Sequence, residues 1–407
     1  MEISNYILMT GSLLQLVAYG VQDVYLSGDP QMTYFKAFFS RHTNFSMEDI
    51  ELNFDNTPDF GKKVSCIIPK KGDLITKIFL KATLTKDTNF GSGIDASSTF
   101  AGGEGEKGQW VKNVGQALIK TIELEIGGLV IDKQYGLWLT IWDELSINKN
   151  HEISNNTMLG NVLYNETWDG DVESEIDVII PLNFFCCKYN GLAIPLLALK
   201  YHSVKINLEF ETSDYCTKKD MSNNYAINPK IKNAGLLVRY IYIDSIEKEQ
   251  IANASHEYLI EQLQFLGKET YSNSLNNYVL NFKHPCKEII WAMKKTSSVH
   301  SSFDNNNDLQ EVALKINGSD RFPPRKNIYF NSVQPLEHHT KNPSLGIYSY
   351  SFCRKPEKHQ PTGTLNFSRI DEAYLNLRTI NSGEIYIYAI NYNVLKIISG
   401  MSLLAYD

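Results

Sequence analysis

Side chains that bind metals, move protons or attack carbonyls are read first, because their spacing decides what chemistry a chain can support. His151-Glu152 and His256-Glu257 both start like the helix of a zinc protease. Such a site needs a second histidine four residues on, where this chain has Asn155 and Ile260. His338-His339 invites a metal, but adjacent residues on a strand point to opposite faces and chelate one ion poorly. The H-x-H pattern of a cupin-type jelly-roll enzyme is also absent, and the pair reads as two surface loop histidines. Asp169, Asp171, Glu173 and Glu175 alternate without the D-x-[DN]-x-[DN]-G order of a calcium loop, so they read as a solvated acidic strand face. Gly61-Lys62 and Gly267-Lys268 lack the upstream glycine and following Ser or Thr of a phosphate cradle, and no G-x-S-x-G elbow occurs. The six cysteines form no C-x-x-C pair and read as scattered thiols in a reducing compartment. No catalytic, cofactor or metal site is expected.

The elements that would have to position any site are strands. Short runs rich in Ile, Val, Tyr, Phe and Thr, separated by Gly, Asn, Asp and Pro, predict strands along most of the chain. Clear cases are Ile50–Phe54, Val64–Pro69, Leu74–Leu84, Ile119–Ile126, Val204–Phe210, Leu236–Ile243, Tyr258–Phe265, Ile289–Met293, Val312–Ile316, Ile347–Phe352 and Ile385–Ile390. Helix signals are few: Leu137–Leu145, and Ser245–Asn253 with Ser245 at a cap position. Strands without regular βαβ alternation predict β-sandwiches. The composition agrees: 407 residues, 43% hydrophobic and 12% aromatic, can bury sizeable cores. With 39 basic and 46 acidic residues the net charge is −7, which argues against a dedicated nucleic-acid binder; the scattered doublets Lys62-Lys63, Lys70-Lys71 and Arg325-Lys326 do not reverse that.

Four markers recur in the same order in both halves. Leu124-Glu-Ile-Gly-Gly128 returns as Leu314-Lys-Ile-Asn-Gly318, and Phe185-Cys186 as Phe352-Cys353, each pair closing a strand and opening a loop. A further strand follows (Val204–Phe210; Ala373–Leu377), then an Ile/Tyr-alternating one (Arg239–Asp244; Glu384–Tyr392). Two similar β domains meeting near Ser245–Ala254 are therefore expected. Thr85–Asn113, Thr212–Ala234 and Ser297–Asp308 read as exposed loops carrying recognition rather than packing. The N-terminal stretch has Glu2 where a signal peptide is basic, and reads as an amphipathic arm carrying Leu13, Leu14, Leu16 and Val17. No apolar run approaches the ~20 residues that span a bilayer as a helix.

Several stretches resemble the major capsid proteins of nucleocytoplasmic large double-stranded-DNA viruses, the group with algal viruses and iridoviruses. They are Leu14-Gln-Leu-Val-Ala-Tyr-Gly-Val-Gln-Asp-Val-Tyr-Leu26, Arg41-His-Thr-Asn-Phe45, Lys63-Val-Ser65, Gly72-Asp-Leu-Ile75, Glu123–Gly128 with Ile131-Asp-Lys133, and His256–Leu263. Asp320-Arg-Phe322, Pro361–Asp371, Asn391-Tyr-Asn-Val-Leu395 and Ser399-Gly-Met401 continue the match collinearly. The resemblance implies an all-β double jelly roll: two eight-stranded antiparallel sandwiches with few short helices. Its divisions would be an arm at 1–26, a first roll at 27–245 and a second at 246–407, joined by a helix at about 245–253. It further implies a homotrimeric capsomer of pseudo-hexagonal outline, assembled in the host cytoplasm and tiling a virion shell. Neighbouring capsomers would be its lateral partners, with minor capsid proteins and an internal membrane beneath and no direct nucleic acid.

The same resemblance suggests Leu13, Leu16, Tyr19 and Asp23 as arm contacts. It suggests Arg41, His42, Asn366, Ser368 and Arg369 as polar contacts within or between subunits, although Arg369 could equally be a solvated charge. Surface glycans in algal-virus relatives sit at atypical acceptors, so the sequons at Asn44, Asn155, Asn165, Asn253, Asn317 and Asn366 guide poorly. Two other readings compete. A carbohydrate-binding sandwich would use some of the 23 tyrosines in a shallow site, and a jelly-roll enzyme would need the metal ligands that are missing.

Overall fold

The computed structural model describes residues 11–35, 41–86, 108–161, 175–219, 229–295, 303 and 308–406. The chain divides into two compact units, residues 1–44 and 45–407. In the first, helices Gly11–Val17 and Val24–Ser27 flank a single turn at Val21–Asp23. Asp23 holds the turn by accepting from the Gly20 amide at 2.7 Å, and its carbonyl accepts from the Ser27 hydroxyl at 2.7 Å. Helices this short are marginal alone, and Leu13, Leu16, Tyr19 and Tyr25 are exposed.

In the second unit the first eleven strands are β1 (Phe45–Asn53), β2 (Lys63–Ile68), β3 (Leu74–Lys86), β4 (Gly108–Trp110), β5 (Ile119–Ile126) and β6 (Leu129–Gln134), then β7 (Glu175–Pro181), β8 (Ile194–Pro195), β9 (Val204–Phe210), β10 (Thr217–Lys219) and β11 (Pro229–Ile243). After helix Ser245–Asn253 come β12 (His256–Tyr271), β13 (Leu275–Val279), β14 (Pro285–Lys295), β15 (Leu309–Ile316) and β16 (Ser319–Lys326), then β17 (Ile347–Ser351), β18 (Leu365–Asn366), β19 (Ala373–Thr379), β20 (Gly383–Ile398) and β21 (Met401–Leu404).

The main sheets are β1-β11-β3-β7 and β2-β9-β5-β6 before the helix, and β12-β20-β14-β17 and β13-β19-β15-β16 after it. Counting each half's eight main strands in chain order gives 1-8-3-6 facing 2-7-4-5, both times. The pairs 1·8, 2·7, 3·6 and 4·5 belong to an antiparallel ribbon rolled on itself, so each half is a jelly roll. The repeated turn follows the same logic. Gly127-Gly128 and Asn317-Gly318 both carry positive φ at two successive residues, as a two-residue hairpin requires.

Alternation fills each interior. In β9 every second residue, from Val204 to Phe210, is buried. In the second half Ile289, Trp291 and Met293 of β14 face a core shared with Leu375, Leu377, Ile385 and Ile387. The opposite face of the same sheet, with Ile290, Ala292, Tyr388 and Ile390, joins the core of the first half. This sheet is therefore buried on both faces. At roughly 1.5–3 kcal/mol for each large apolar side chain removed from water, the seam is a core in its own right.

Some expectations change. Trp110 and Val111, read as part of an exposed loop, are buried; the glycines of 87–107 lie outside the described residues. Thr212–Ala234 contains helix Ser213–Cys216, β10 and the start of β11. Phe303 and Asp308, within the expected loop Ser297–Asp308, are also buried. Phe185-Cys186 opens a one-turn helix, Phe185–Lys188, rather than closing a strand. Asp244, not Ser245, caps the connecting helix by accepting from the Ser245 amide. Asp169, Asp171 and Glu173 lie outside the described residues, while Glu175 starts β7 and accepts from Lys232 Nζ at 2.8 Å.

Candidate functional site: the seam between the halves and the assembly residues

A bulge in β14 builds the polar part of the seam. The β14·β20 register shifts between Cys286 and Glu288, which lets consecutive residues Lys287 and Glu288 both turn toward the first half. Lys287 is fully buried, and its ammonium donates to Glu261 Oε1 of β12 at 2.5 Å. Lys188, from the one-turn helix of the first half, donates to Glu261 Oε2 at 3.0 Å and lies 4.8 Å over the Trp142 ring. Burial alone would raise the Glu261 pKa, but the two ammonium charges outweigh it and hold the carboxyl below its usual range. One carboxylate thus ties two cations, one from each half.

Glu288 leads to the second cluster. His339 Nε2 sits 3.1 Å from Glu288 Oε2 but off the hydrogen-bond direction, so the contact is ionic. Its Nδ1 lies 3.3 Å from Glu357 Oε1, which also accepts from the Thr340 amide at 2.8 Å. Burial would lower the His339 pKa; the flanking carboxylates reverse this and raise it to about 9. His339 is therefore a buried imidazolium at the end of helix Gln334–His338, which corrects its reading as a surface loop histidine. Glu288 and Glu357 meet it from distant parts of the chain, so neighbouring residues gave no signal of the site.

Around these charges the seam is aromatic. Phe265 stacks on Tyr388 at 4.6 Å, Trp138 approaches Tyr388 at 5.1 Å, and Trp138 stacks on Trp142 at 5.7 Å. Beside them Asp143 accepts from Gln116 Nε2 at 2.5 Å and Asn155 Nδ2 at 3.3 Å, and burial pushes its pKa up to about 6. Lys341 closes this edge by donating its amide to the Leu145 carbonyl at 3.0 Å and its ammonium to Glu152 at 2.9 Å. No cluster of three metal-ligating side chains occurs among the described residues.

The expected assembly residues fall into separate places. Leu13, Leu16, Tyr19, Asp23, Arg41 and His42 belong to the 1–44 unit, where His42 Nδ1 meets the Thr43 carbonyl at 2.7 Å and Arg41 is exposed. Asn366, Ser368 and Arg369 sit together beside the start of β14. Asn366 accepts from the Ser368 amide at 3.0 Å, and Ser368 Oγ accepts from the amide of His284, whose φ is +64°. Asn366 and Ser368 thus brace their own backbone, and Arg369 is exposed.

Comparison with known proteins places this geometry. Residues 33–244 match the family described as major capsid protein N-terminus, and residues 247–402 match large eukaryotic DNA virus major capsid protein. The chain is 43% identical to the major capsid protein of Pyramimonas orientalis virus, over 98% of this chain and all of the relative. It is 36% identical to that of Paramecium bursaria Chlorella virus 1, over 98% of this chain and all of the relative. Among solved structures, a chain of the PBCV-1 virus capsid superposes with a TM-score of 0.78 at 31% identity, covering 92% of this chain and all of that one.

Proposed function

Because this chain belongs to the major capsid protein family of large eukaryotic DNA viruses, we propose that three copies associate into one capsomer with a near-hexagonal outline. Its role is structural rather than catalytic, and its place is the virion capsid. The observation that carries the trimer is the doubled topology: each chain brings two rolls of the same strand order. Three chains then supply six similar wedges, and a three-fold object acquires the outline that tiles a flat lattice. Many weak lateral contacts between rigid blocks close a large shell by multivalency.

The proposed rolls are 27–245 and 246–407, with helix Ser245–Asn253 as the joint. We infer an orientation from the ends of the strands. Lys86 pairs with Pro229 and Thr85 with Glu175, so Lys86, Glu175 and Pro229 lie together at one end of the first roll. In the second roll Lys295, which precedes 296–302, pairs with Gly383, and Lys294 lies 5.7 Å over the Tyr215 ring. These strand ends of the two rolls lie side by side, and we assign that end, with any glycans, to the outside. The opposite end would face minor capsid proteins and an internal membrane, with assembly in the host cytoplasm. Leu13, Leu16, Tyr19 and Asp23 would make arm contacts. Arg41, His42, Asn366, Ser368 and Arg369 would make polar contacts between subunits or between the two rolls.

Size-exclusion chromatography with light scattering tests this reading. The full chain is expected at about 139 kDa, three times its 46.3 kDa mass, and a chain lacking residues 1–26 at the corresponding trimer mass. Monomers from both would contradict the capsomer.

A further inference from the structure

We propose that the cleft between the turn Phe185–Leu192 of the first roll and the loop Lys355–Thr362 of the second receives an acidic polypeptide segment of a protein beneath the shell. This rests on the reading above, in which the end bearing this cleft faces inward. The cleft has a volume of about 730 Å³ and is lined by Lys188, Tyr189, Glu261, Lys355, Lys358 and His359 among others. Its position follows from the strands: Phe185–Leu192 lies between β7 and β9, and Lys355–Thr362 between β17 and β18. Those connections adjoin the ends where Asn366 pairs with Pro285 and where the Gly127 amide donates to the Ser203 carbonyl, away from Lys86 and Lys295.

Charge identifies the occupant. Both carboxylates in the wall are already matched, Glu261 by Lys188 and Lys287, and Glu357 by His339 and Thr340. Buried Asp132, nearby, accepts from the Leu263 amide at 3.0 Å and from Gln134 Nε2 at 2.7 Å. Lys355 and Lys358 are exposed and pair with no carboxylate among the described residues. Two uncompensated ammonium groups thus flank the opening in a chain of net charge −7, and a concave site focuses their field.

The loop is also held in place before any ligand arrives. Glu357 is fixed by His339 and Thr340, the Lys355 amide donates to Thr362 Oγ1 at 3.0 Å, and the Lys358 amide to the Lys355 carbonyl at 3.2 Å. Such preorganisation lowers the entropic cost of binding. Tyr189 stacks on His359 at 4.8 Å and 14°, giving the wall an aromatic face for the ligand's side chains. A recess suits an extended polypeptide, whereas the headgroups of a flat bilayer would meet only its rim.

The test uses the purified full chain and a fluorescein-labelled hexaglutamate peptide followed by anisotropy. Reversing both rim charges (K355E with K358E) is expected to weaken binding at least about tenfold. A control reversing Lys62 and Lys63, where Lys63 pairs with Glu209 at the end of β9 away from Val204, is expected to change it less than about twofold. Equal loss in both variants, or a trimeric wild type that ignores the peptide, overturns the inference. So does binding to phosphatidylserine vesicles that depends on the same lysines while the peptide does not bind. Light scattering on the same samples separates the two claims: a trimer without peptide binding removes only this inference, and a monomer removes the capsomer reading.

Discussion

At the residue scale, the seam depends on buried charges that meet only in the folded chain. His339 shows it best. Its folded pKa, about 9, lies above its ordinary value of 6.5, so the native state holds the proton more tightly than the unfolded one. The stabilisation is complete below pH 6.5 and is lost as pH rises through 9. His339→Ala should therefore cost roughly 3–5 kcal/mol at pH 6, because it leaves Glu288 buried without a counter-charge. It should also flatten the fall in stability between pH 6.5 and 9. Urea unfolding at pH 6 and 9 checks both; equal stability of variant and wild type at pH 6 would mean the ion contact does not form. None of this was legible in the sequence. Glu261, Lys287, Glu288, His339 and Glu357 share no spacing along the chain; a bulge and packing between strands join them.

At the element scale the sequence was far more legible. Ile119–Ile126 and Val204–Phe210 are strands at their expected limits, and Ser245–Asn253 is a helix. Each alternates or caps locally, so its signal does not wait on tertiary contacts. Strand β16 was missed because Pro323 and Pro324 argue against a ladder, yet it is the edge of its sheet, where proline is tolerated. The helices near 329–338 and 149–158 lack a strong apolar period and take their place from packing on neighbours. The two glycines of the β5–β6 hairpin separate turn geometry from packing. Both have positive φ, but a Cβ on Gly127 would lie 2.2 Å from His202 Nδ1 while one on Gly128 meets nothing. Gly128→Ala should cost about 1–2 kcal/mol from the backbone alone, and Gly127→Ala roughly 1–3 kcal/mol more from the collision. Denaturation midpoints that rank them the other way would reject the role given to His202.

At the scale of the whole molecule, repetition was the readable feature. Four weak markers, in one order, anticipated two bodies of one strand plan, although their spacing drifted and Phe185-Cys186 took a different local form. What the sequence could not show is that the second roll's sheet is buried on both faces, so that the rolls share a core. A rigid double block is what a flat lattice needs, because weak lateral contacts add up only when the units do not flex. The measurement that tests this most directly is single-particle electron microscopy of the purified oligomer. The expected result is a three-fold particle with six similar lobes, paired two to a chain across the Glu261 and His339 seam. A dimer, or a three-fold particle in which each chain contributes one compact lobe and the second roll is splayed away, would contradict it.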